Sequence, residues 1–284
     1  MKLGFIGNGI VGGATRKTLE NGLHDIKIYD PPQGYMDDMS DREVIFISVP
    51  VPTRPDGIQD LTILRNSVDR CPTSAFIFVR SSVLPGTCDS LRGTITSTVG
   101  WGSAGGGLGA SDFSWTINPA PSFALGFKFP KLFSVPEFLT ERTAAADAER
   151  LDIVAPGGAV EILKALFPQK NIIQVGSNSE AEMVKYVHNC FCAVKVNFFN
   201  LIYQMCAGKG LAYGRVIDAA CDITGFIEKT HTKVPGPDAQ FGFGGKCFPK
   251  DLYAFTKFVE SEKGSTFLRA VVQENFLNRF GGLF

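Results

Sequence analysis

Three glycines in four positions, followed by a cysteine flanked by lysines, make up the run Phe241-Gly242-Phe243-Gly244-Gly245-Lys246-Cys247-Phe248-Pro249-Lys250-Asp251. Glycines let a backbone approach a ligand closely and free φ for turns that other residues resist. Nearby cations favour thiolate over thiol, so Lys246 and Lys250 give Cys247 the surroundings of a nucleophile. Asp251 adds a carboxylate within reach of whatever reacts there. The residues alone leave a second reading open, a glycine turn ahead of a helix with a buried thiol.

A second chemical run lies at the N-terminus. Residues 1–6 read as a short buried strand that enters Gly7-Asn8-Gly9-Ile10-Val11-Gly12 and then a helical pattern through Leu19. Residues 25–29 form a second strand pattern ending in Asp30. Strand, GxGxxG, helix, strand and terminal acid make the complete dinucleotide fingerprint. Its glycines allow a tight turn and bring a pyrophosphate to the free N–H groups of a helix start. An acid at Asp30 suits the adenosine ribose hydroxyls and repels a 2′-phosphate, and Pro31-Pro32 supplies no arginine in compensation. The expected cofactor is NAD rather than NADP.

The elements that must position these runs follow a strand–helix alternation. Residues 44–48 and 75–79 are continuous apolar runs, as in parallel strands covered on both faces. The first leads into a turn-rich loop, Val49-Pro50-Val51-Pro52-Thr53, and the second into Arg80-Ser81-Ser82-Val83-Leu84-Pro85-Gly86-Thr87. Residues 94–130 are too rich in glycine for a regular element and too aromatic for a plain linker. Two further strand patterns, 151–155 and 171–175, bracket a helical pattern at 159–167. Ser179-Glu180-Ala181-Glu182 reads as a capping box opening the longest helical stretch, to about residue 207. Lys185 and Asn189 lie one turn apart on it and share a face; taken alone, they read as a solvated lysine and an ordinary polar helix residue. Helical patterns return at 213–221 and from 252 onward.

A chain of 284 residues with 44% hydrophobic and 20% charged content is ordinary for a globular protein of two domains. Its net charge of zero suggests neither nucleic acid nor an anionic membrane surface as a partner. The seven cysteines are scattered without a CxxC pair, and only three histidines accompany them. No metal site and no disulfide framework are expected. A free reactive thiol suits a reducing compartment, and no apolar run reads as long enough to span a membrane. The expected location is the cytoplasm.

The run from Gly242 to Asp251 resembles the active-site segment of the UDP-glucose/GDP-mannose dehydrogenase family, Gly-Phe-Gly-Gly-x-Cys-x-x-Lys-Asp, at every fixed position. Arg80-Ser81-Ser82-Val83 is similar to that family's Lys-Ser-Thr-Val-Pro segment, with Ser82 where the family has an active-site threonine. Pro136-Glu137-Phe138-Leu139-Thr140-Glu141 resembles its Pro-Glu-Phe-Leu-x-Glu, and Lys185 with Asn189 its Lys-x-x-x-Asn pair. The resemblance implies a Rossmann-type α/β domain with a doubly wound parallel sheet over residues 1–175, then an all-α domain over 176–284. It implies NAD-dependent oxidation of a nucleotide sugar, UDP-glucose first among the candidates, at C6 to the uronic acid. Cys247 would carry a thiohemiacetal and then a thioester, with Glu137 as base for hydrolysis. Lys185, Asn189, Asp251 and Ser82 would hold charge, water or sugar at the reacting carbon. Gly7, Asn8, Gly9, Ile10, Val11, Gly12, Asp30, Val49, Pro50, Ser82, Glu141 and Lys250 would face the cofactor. Phe138, Leu139, Lys185, Asn189, Phe243 and Gly244 would face the substrate.

The sequence also departs from that pattern. Phe226-Ile227 stands where relatives place an arginine that reaches a neighbouring subunit, and relatives bridge 94–130 with a shorter segment. Relatives continue past the last helix into a second Rossmann-like domain that grips the nucleotide. The expectation is a chain without that grip, binding NAD but weakly active on nucleotide sugars, and forming a homodimer through its helical domain. Two other readings stand beside this one. A β-hydroxyacid dehydrogenase pairs similar domains with a catalytic lysine but has no need of Cys247. A non-catalytic NAD-binding subunit would need no turnover at all.

Overall fold

The computed structural model describes residues 1–93, 129, 131–262 and 265–281. The glycine- and aromatic-rich run at 94–130 lies, apart from Phe129, outside the described residues. The chain begins β1 (Lys2–Ile6), α1 (Ile10–Leu19), β2 (Asp25–Asp30), β3 (Tyr35–Met36), β4 (Val44–Ile47) and α2 (Thr62–Asp69). It continues with β5 (Phe76–Val79), α3 (Thr87–Leu91), β6 (Leu132–Ser134), α4 (Ala144–Arg150), β7 (Ile153–Pro156), α5 (Gly157–Leu166) and β8 (Ile172–Val175). Four helices follow: α6 (Asn178–Gly208), α7 (Tyr213–Asp222), α8 (Cys247–Glu262) and α9 (Thr266–Phe280).

Six strands form one sheet in the order β3-β2-β1-β4-β5-β6. All neighbours are parallel except the edge pair β2–β3. That edge turns back because Pro31–Gln33 makes a short 3₁₀ turn closed by Gly34 at φ 83°, a left-handed value that favours glycine. Among the described residues β7 and β8 pair only with each other, as a small parallel unit separate from the main sheet.

The sheet is covered on both faces, which is why its strands read as unbroken apolar runs. On one face Phe5, Phe46, Phe78 and Phe133 stand in register across four strands, with Phe5 stacked on Phe46 at 5.2 Å. This row packs against Leu19 of α1, Ile153 of β7 and Leu163 of α5, with Phe167 beyond. On the other face Ile45, Ile47, Ile77 and Val79 meet Leu64 and Val68 of α2 and Cys88 of α3. Each fully buried phenylalanine contributes roughly 2–3 kcal/mol of burial free energy, so the row fixes the register that aligns the strand ends carrying the site.

α6 is the spine of the helical half. Its Tyr186 stacks on Phe255 of α8 at 5.1 Å, and Cys190 and Ala193 pack with Leu252, Leu268 and Val271 of α8 and α9. By length and composition alone α6 could cross a membrane, contrary to the expectation that no apolar run reaches that length. Here its Lys185, Asn189, Asn197 and Asn200 are buried within the fold.

Two boundaries differ from the sequence expectation. The N-cap of α6 is Ser177, whose side chain accepts from Glu180 N at 3.2 Å, while the Glu180 carboxylate accepts from Gly176 N at 2.5 Å. The capping thus begins two residues earlier than the Ser179-to-Glu182 reading. Glu182 is freed for another task. It is 1% exposed and accepts from Gly86 N (2.7 Å) and Cys88 N (2.8 Å) at the start of α3. Burial outweighs those donors and pushes its carboxyl up to about 7. The last helical pattern expected from 252 in fact begins at Cys247, with Pro249 tolerated in the first turn because no intrahelical N–H is needed there.

Candidate active site

The parallel strands β1, β2, β4 and β5 release Gly7, Asp30, Ser48–Val49 and Arg80–Ser82 at one edge of the sheet. Gly7 takes φ 87°. A side chain at Gly12 would place its Cβ 1.9 Å from the Gly7 carbonyl oxygen, whereas one at Gly9 would meet nothing within 4 Å. The turn is therefore closed beneath and open above. A cleft of about 350 Å³ opens there, lined by Asn8, Gly9, Ile10, Arg16 and the start of α4 at Ala144. The free N–H groups at the start of α1 face an opening that suits a pyrophosphate, so the residues present fit a dinucleotide.

Asp30 accepts from Asn8 N at 2.6 Å and from Gln33 Nε2 at 2.9 Å, both on Oδ2. One oxygen of the carboxylate thus holds the glycine turn and the other is left for a ribose hydroxyl. An arginine is also nearer than the Pro31-Pro32 argument allowed. Arg16 Nε donates to Asn8 Oδ1 at 3.0 Å, but its outer nitrogen is paired with Glu20. Asp30 is therefore the charged group that a 2′-phosphate placed at the end of β2 would meet. Asp30→Ala is expected to narrow the gap between NAD and NADP affinities by at least tenfold, the size of a change of about 1.4 kcal/mol. Equal affinities in the unmodified chain, measured by titration, would contradict this.

Val49 is half-buried and Pro50 exposed. Sequence reasoning passed over the residue that grips them, Ser81, whose Oγ donates to Val49 O (2.7 Å) and accepts from Val49 N (3.1 Å). It also passed over Gln59, 8% exposed, which donates to Ser82 O (3.2 Å) and Tyr186 Oη (3.0 Å) and accepts from Leu84 N (3.0 Å). Gln59 ties the Ser82 loop to α6 next to Lys185. The proline loop also docks on α8, through Tyr253 Oη to Pro55 O at 2.7 Å and Thr53 Oγ1 to Lys250 O at 3.3 Å.

Lys185 is not on a solvated face. It is 3% exposed, and its Nζ donates to Glu137 O at 2.5 Å and lies 3.4 Å from Glu137 Oε1. Glu137, 7% exposed, also accepts from Leu139 N at 2.6 Å. The Phe138 ring lies 5.2 Å from the same ammonium. One turn along α6, Asn189 is also buried and donates to Asp251 Oδ2 at 2.6 Å. Asp251 is fully buried, and its other oxygen accepts from Lys250. Lys250 therefore points at Asp251 rather than standing free for a cofactor.

Cys247 opens α8 and is the exposed member of the seven cysteines; the other six are buried. Its thiol is pushed up rather than down. Burial is the largest cause; Asp251 and Glu137 add to it, and Lys185 and Lys250 oppose it. Lys246, expected to activate the thiol, instead extends into solvent and sits 3.8 Å from Glu141 on the surface. Glu141 is exposed, and the remaining site candidates are not drawn to it.

Phe243 corrects another expectation. Its side chain is 5% exposed and packs in the core of α6, α8 and α9, and its main-chain N and O are both engaged by α9. The glycine turn is clamped from two helices. Gly242 N donates to Asn200 Oδ1 (2.9 Å), Phe243 N to Asn275 Oδ1 (2.7 Å), and Asn275 Nδ2 and Arg279 Nε donate to Phe243 O (both 3.0 Å). A Cβ on Gly244 would lie 1.8 Å from the Arg279 guanidinium. The spacing of Asn275 and Arg279, four apart on one helix face, was the available signal for this clamp.

Comparison with known proteins came to the same sequence runs. Residues 179–276 match the UDP-glucose/GDP-mannose dehydrogenase family, central domain. UDP-glucose 6-dehydrogenase of Rickettsia felis is 26% identical over 258 residues, covering 85% of this chain and 49% of the relative. UDP-glucose 6-dehydrogenase YwqF of Bacillus subtilis is 28% identical over 275 residues, covering 88% and 54%. The chain thus spans about half the length of the curated relatives it matches. A UDP-glucose dehydrogenase from the archaeon Pyrobaculum islandicum superposes with a TM-score of 0.72 at 22% identity, over 96% of this chain and 67% of that one. GDP-mannose dehydrogenase from Pseudomonas aeruginosa superposes with a TM-score of 0.59 at 20% identity, over 98% and 69%. At these identities the solved structures speak for the fold.

Proposed function

We propose, from the match of residues 179–276 to the central domain of the UDP-glucose/GDP-mannose dehydrogenase family, that this chain takes part in an NAD-dependent oxidation of a nucleotide sugar. UDP-glucose is the first candidate, oxidised at C6 to the uronic acid. The observation that carries the proposal is two buried polar pairs, Lys185 with Glu137 and Asn189 with Asp251, of which Lys185, Glu137 and Asp251 act electrostatically on the thiol of Cys247.

NAD, bound over the glycine turn, supplies the hydride acceptor. The chain's own residues handle protons, oxygen charge and the carbon–sulfur bond. At the aldehyde level, Cys247 Sγ bonds to C6 as the C6=O π bond opens, the thiol proton ends on that oxygen, and the buried Lys185 ammonium stabilises the charge the oxygen carries meanwhile. Oxidation of that adduct leaves a thioester on Cys247. Glu137 takes a proton from water, the water oxygen bonds to C6, and the C6–Sγ bond breaks to return the thiol. Asp251, held by Asn189 and Lys250, keeps Asn189 oriented toward the sugar.

An alcohol-to-acid oxidation removes two hydrides, so two NADH should form per sugar consumed. Absorbance assays on a panel of UDP- and GDP-sugars test this. One NADH per turnover would instead point to a simple alcohol oxidation of the β-hydroxyacid type, and none with any sugar would point to a non-catalytic NAD-binding subunit. The same reading includes a cytoplasmic location, where Cys247 stays reduced. It also includes a homodimer through the helical half. Val187, Phe191, Phe198, Leu201 and Met205 leave an apolar stripe exposed along α6, at the three-, four- and seven-residue steps of a helix seam. A monomer by sedimentation equilibrium would count against the dimer.

A further inference from the structure

Arg80 is a buried cation whose side chain has no hydrogen bond or ion pair among the described residues, and Glu137 is the carboxylate whose charge acts on it. Arg80 follows β5 two residues after Phe78, so strand alternation turns its side chain to the phenylalanine face of the sheet. There it is 8% exposed. Its Nε has no hydrogen-bond partner, and its guanidinium makes no ion pair or hydrogen bond among the described residues. Arginine cannot shed its proton, and a buried charge left uncompensated is strongly destabilising. Some counter-charge is needed.

Arg80 lines a half-open cavity of about 20 Å³, room for one small ion, together with Thr15, Glu137, Asp147, Asp152 and Lys170. The carboxylates in that wall are already engaged. Asp147 accepts from Thr140 N, Thr143 Oγ1 and Arg150, and Asp152 from Asn171. Glu137 is held by Leu139 N and Lys185. Lys170 donates to the carbonyls of Glu149 (3.1 Å) and Leu151 (2.7 Å), which leaves one N–H of its ammonium uncommitted.

We propose that this cavity binds a small monovalent inorganic anion, with the chemistry of chloride, between the Arg80 guanidinium and the Lys170 ammonium. The balance of the wall selects the charge. Neither Arg80 nor Lys170 has an ion-pair partner among the described residues, so an anion between them meets two cations, whereas a divalent oxyanion would turn its second charge toward Asp147 and Asp152 in the same wall. The site lies behind Glu137 and does not depend on the dehydrogenase reading.

The full chain is melted in sodium chloride and in sodium gluconate at equal ionic strength. Chloride should raise the unfolding midpoint by about 2–5 °C along a saturating curve, and gluconate should not. Arg80→Met should abolish the difference between the salts. Should that variant fail to fold, Lys170→Met should raise the half-saturating chloride concentration several-fold. Crystals grown in sodium bromide should show anomalous density beside Arg80. Identical midpoints in both salts, or bromide found only elsewhere, would overturn the proposal and leave Glu137 and water as the screening groups.

Discussion

Cys247→Ser is expected to lower NADH formation from a nucleotide sugar on the order of a thousandfold or more, as loss of a covalent nucleophile does. The unfolding midpoint should barely move, since the residue is exposed and surface substitutions cost within roughly half a kcal/mol. The pH dependence of the unmodified thiol is equally specific. The helix start, Lys185 and Lys250 favour thiolate, but burial outweighs them, and Asp251 and Glu137 reinforce it. A thiol whose pKa lies above its ordinary value is mostly protonated near neutrality. Its alkylation rate should therefore climb about tenfold per pH unit across the neutral range, measured by mass-spectrometric mapping. A plateau below about pH 8 would mean that the cations win and that this account of the site's electrostatics is wrong. Cys71, Cys88 and Cys190 should stay unlabelled in the same experiment, because they are buried and burial pushes each of their thiols up.

Lys185→Ala is expected to damage stability and turnover together. On a solvated face the change would cost no more than about half a kcal/mol. Here Lys185 and Glu137 are both buried, and removing one partner of a buried pair costs about 3–5 kcal/mol because the other charge is left stranded. The double change Lys185→Ala with Glu137→Gln should recover most of that stability, since the stranded charge goes with it. It should not recover turnover, which remains down on the order of a hundredfold or more for want of the ammonium and the base. Chemical denaturation and NADH assays on the four proteins of this cycle give the answer. A double variant that regains activity would return Lys185 to a purely structural role.

The glycine fingerprint with Asp30 and the run around Cys247 were legible in the sequence because each is a contiguous pattern. Turn geometry, strand alternation and helix periodicity act over a few residues, so spacing alone carries them. The same locality explains the misplacements. Ser177 and Ser179 are both capping residues followed three positions on by glutamate, and only the path of the chain decides which one starts α6. Gly242 and Phe243 are identifiable as a turn, yet the groups that clamp them stand 42 and 32 residues away, at Asn200 and Asn275.

What the tertiary structure decided is burial and pairing. A lysine one turn before an asparagine reads as solvated until α6 is laid beneath the Glu137 segment, 48 residues earlier in the chain. Lys246 is the nearest cation to Cys247 in sequence, but it lies in the bend ahead of α8 and extends into solvent, while Lys185, 62 residues back, acts on the thiol. Electrostatic effects depend on distance in space and on the water displaced between groups. Neither quantity exists until distant segments have packed, and so the chemistry of the site is written locally but its strength is set by the fold.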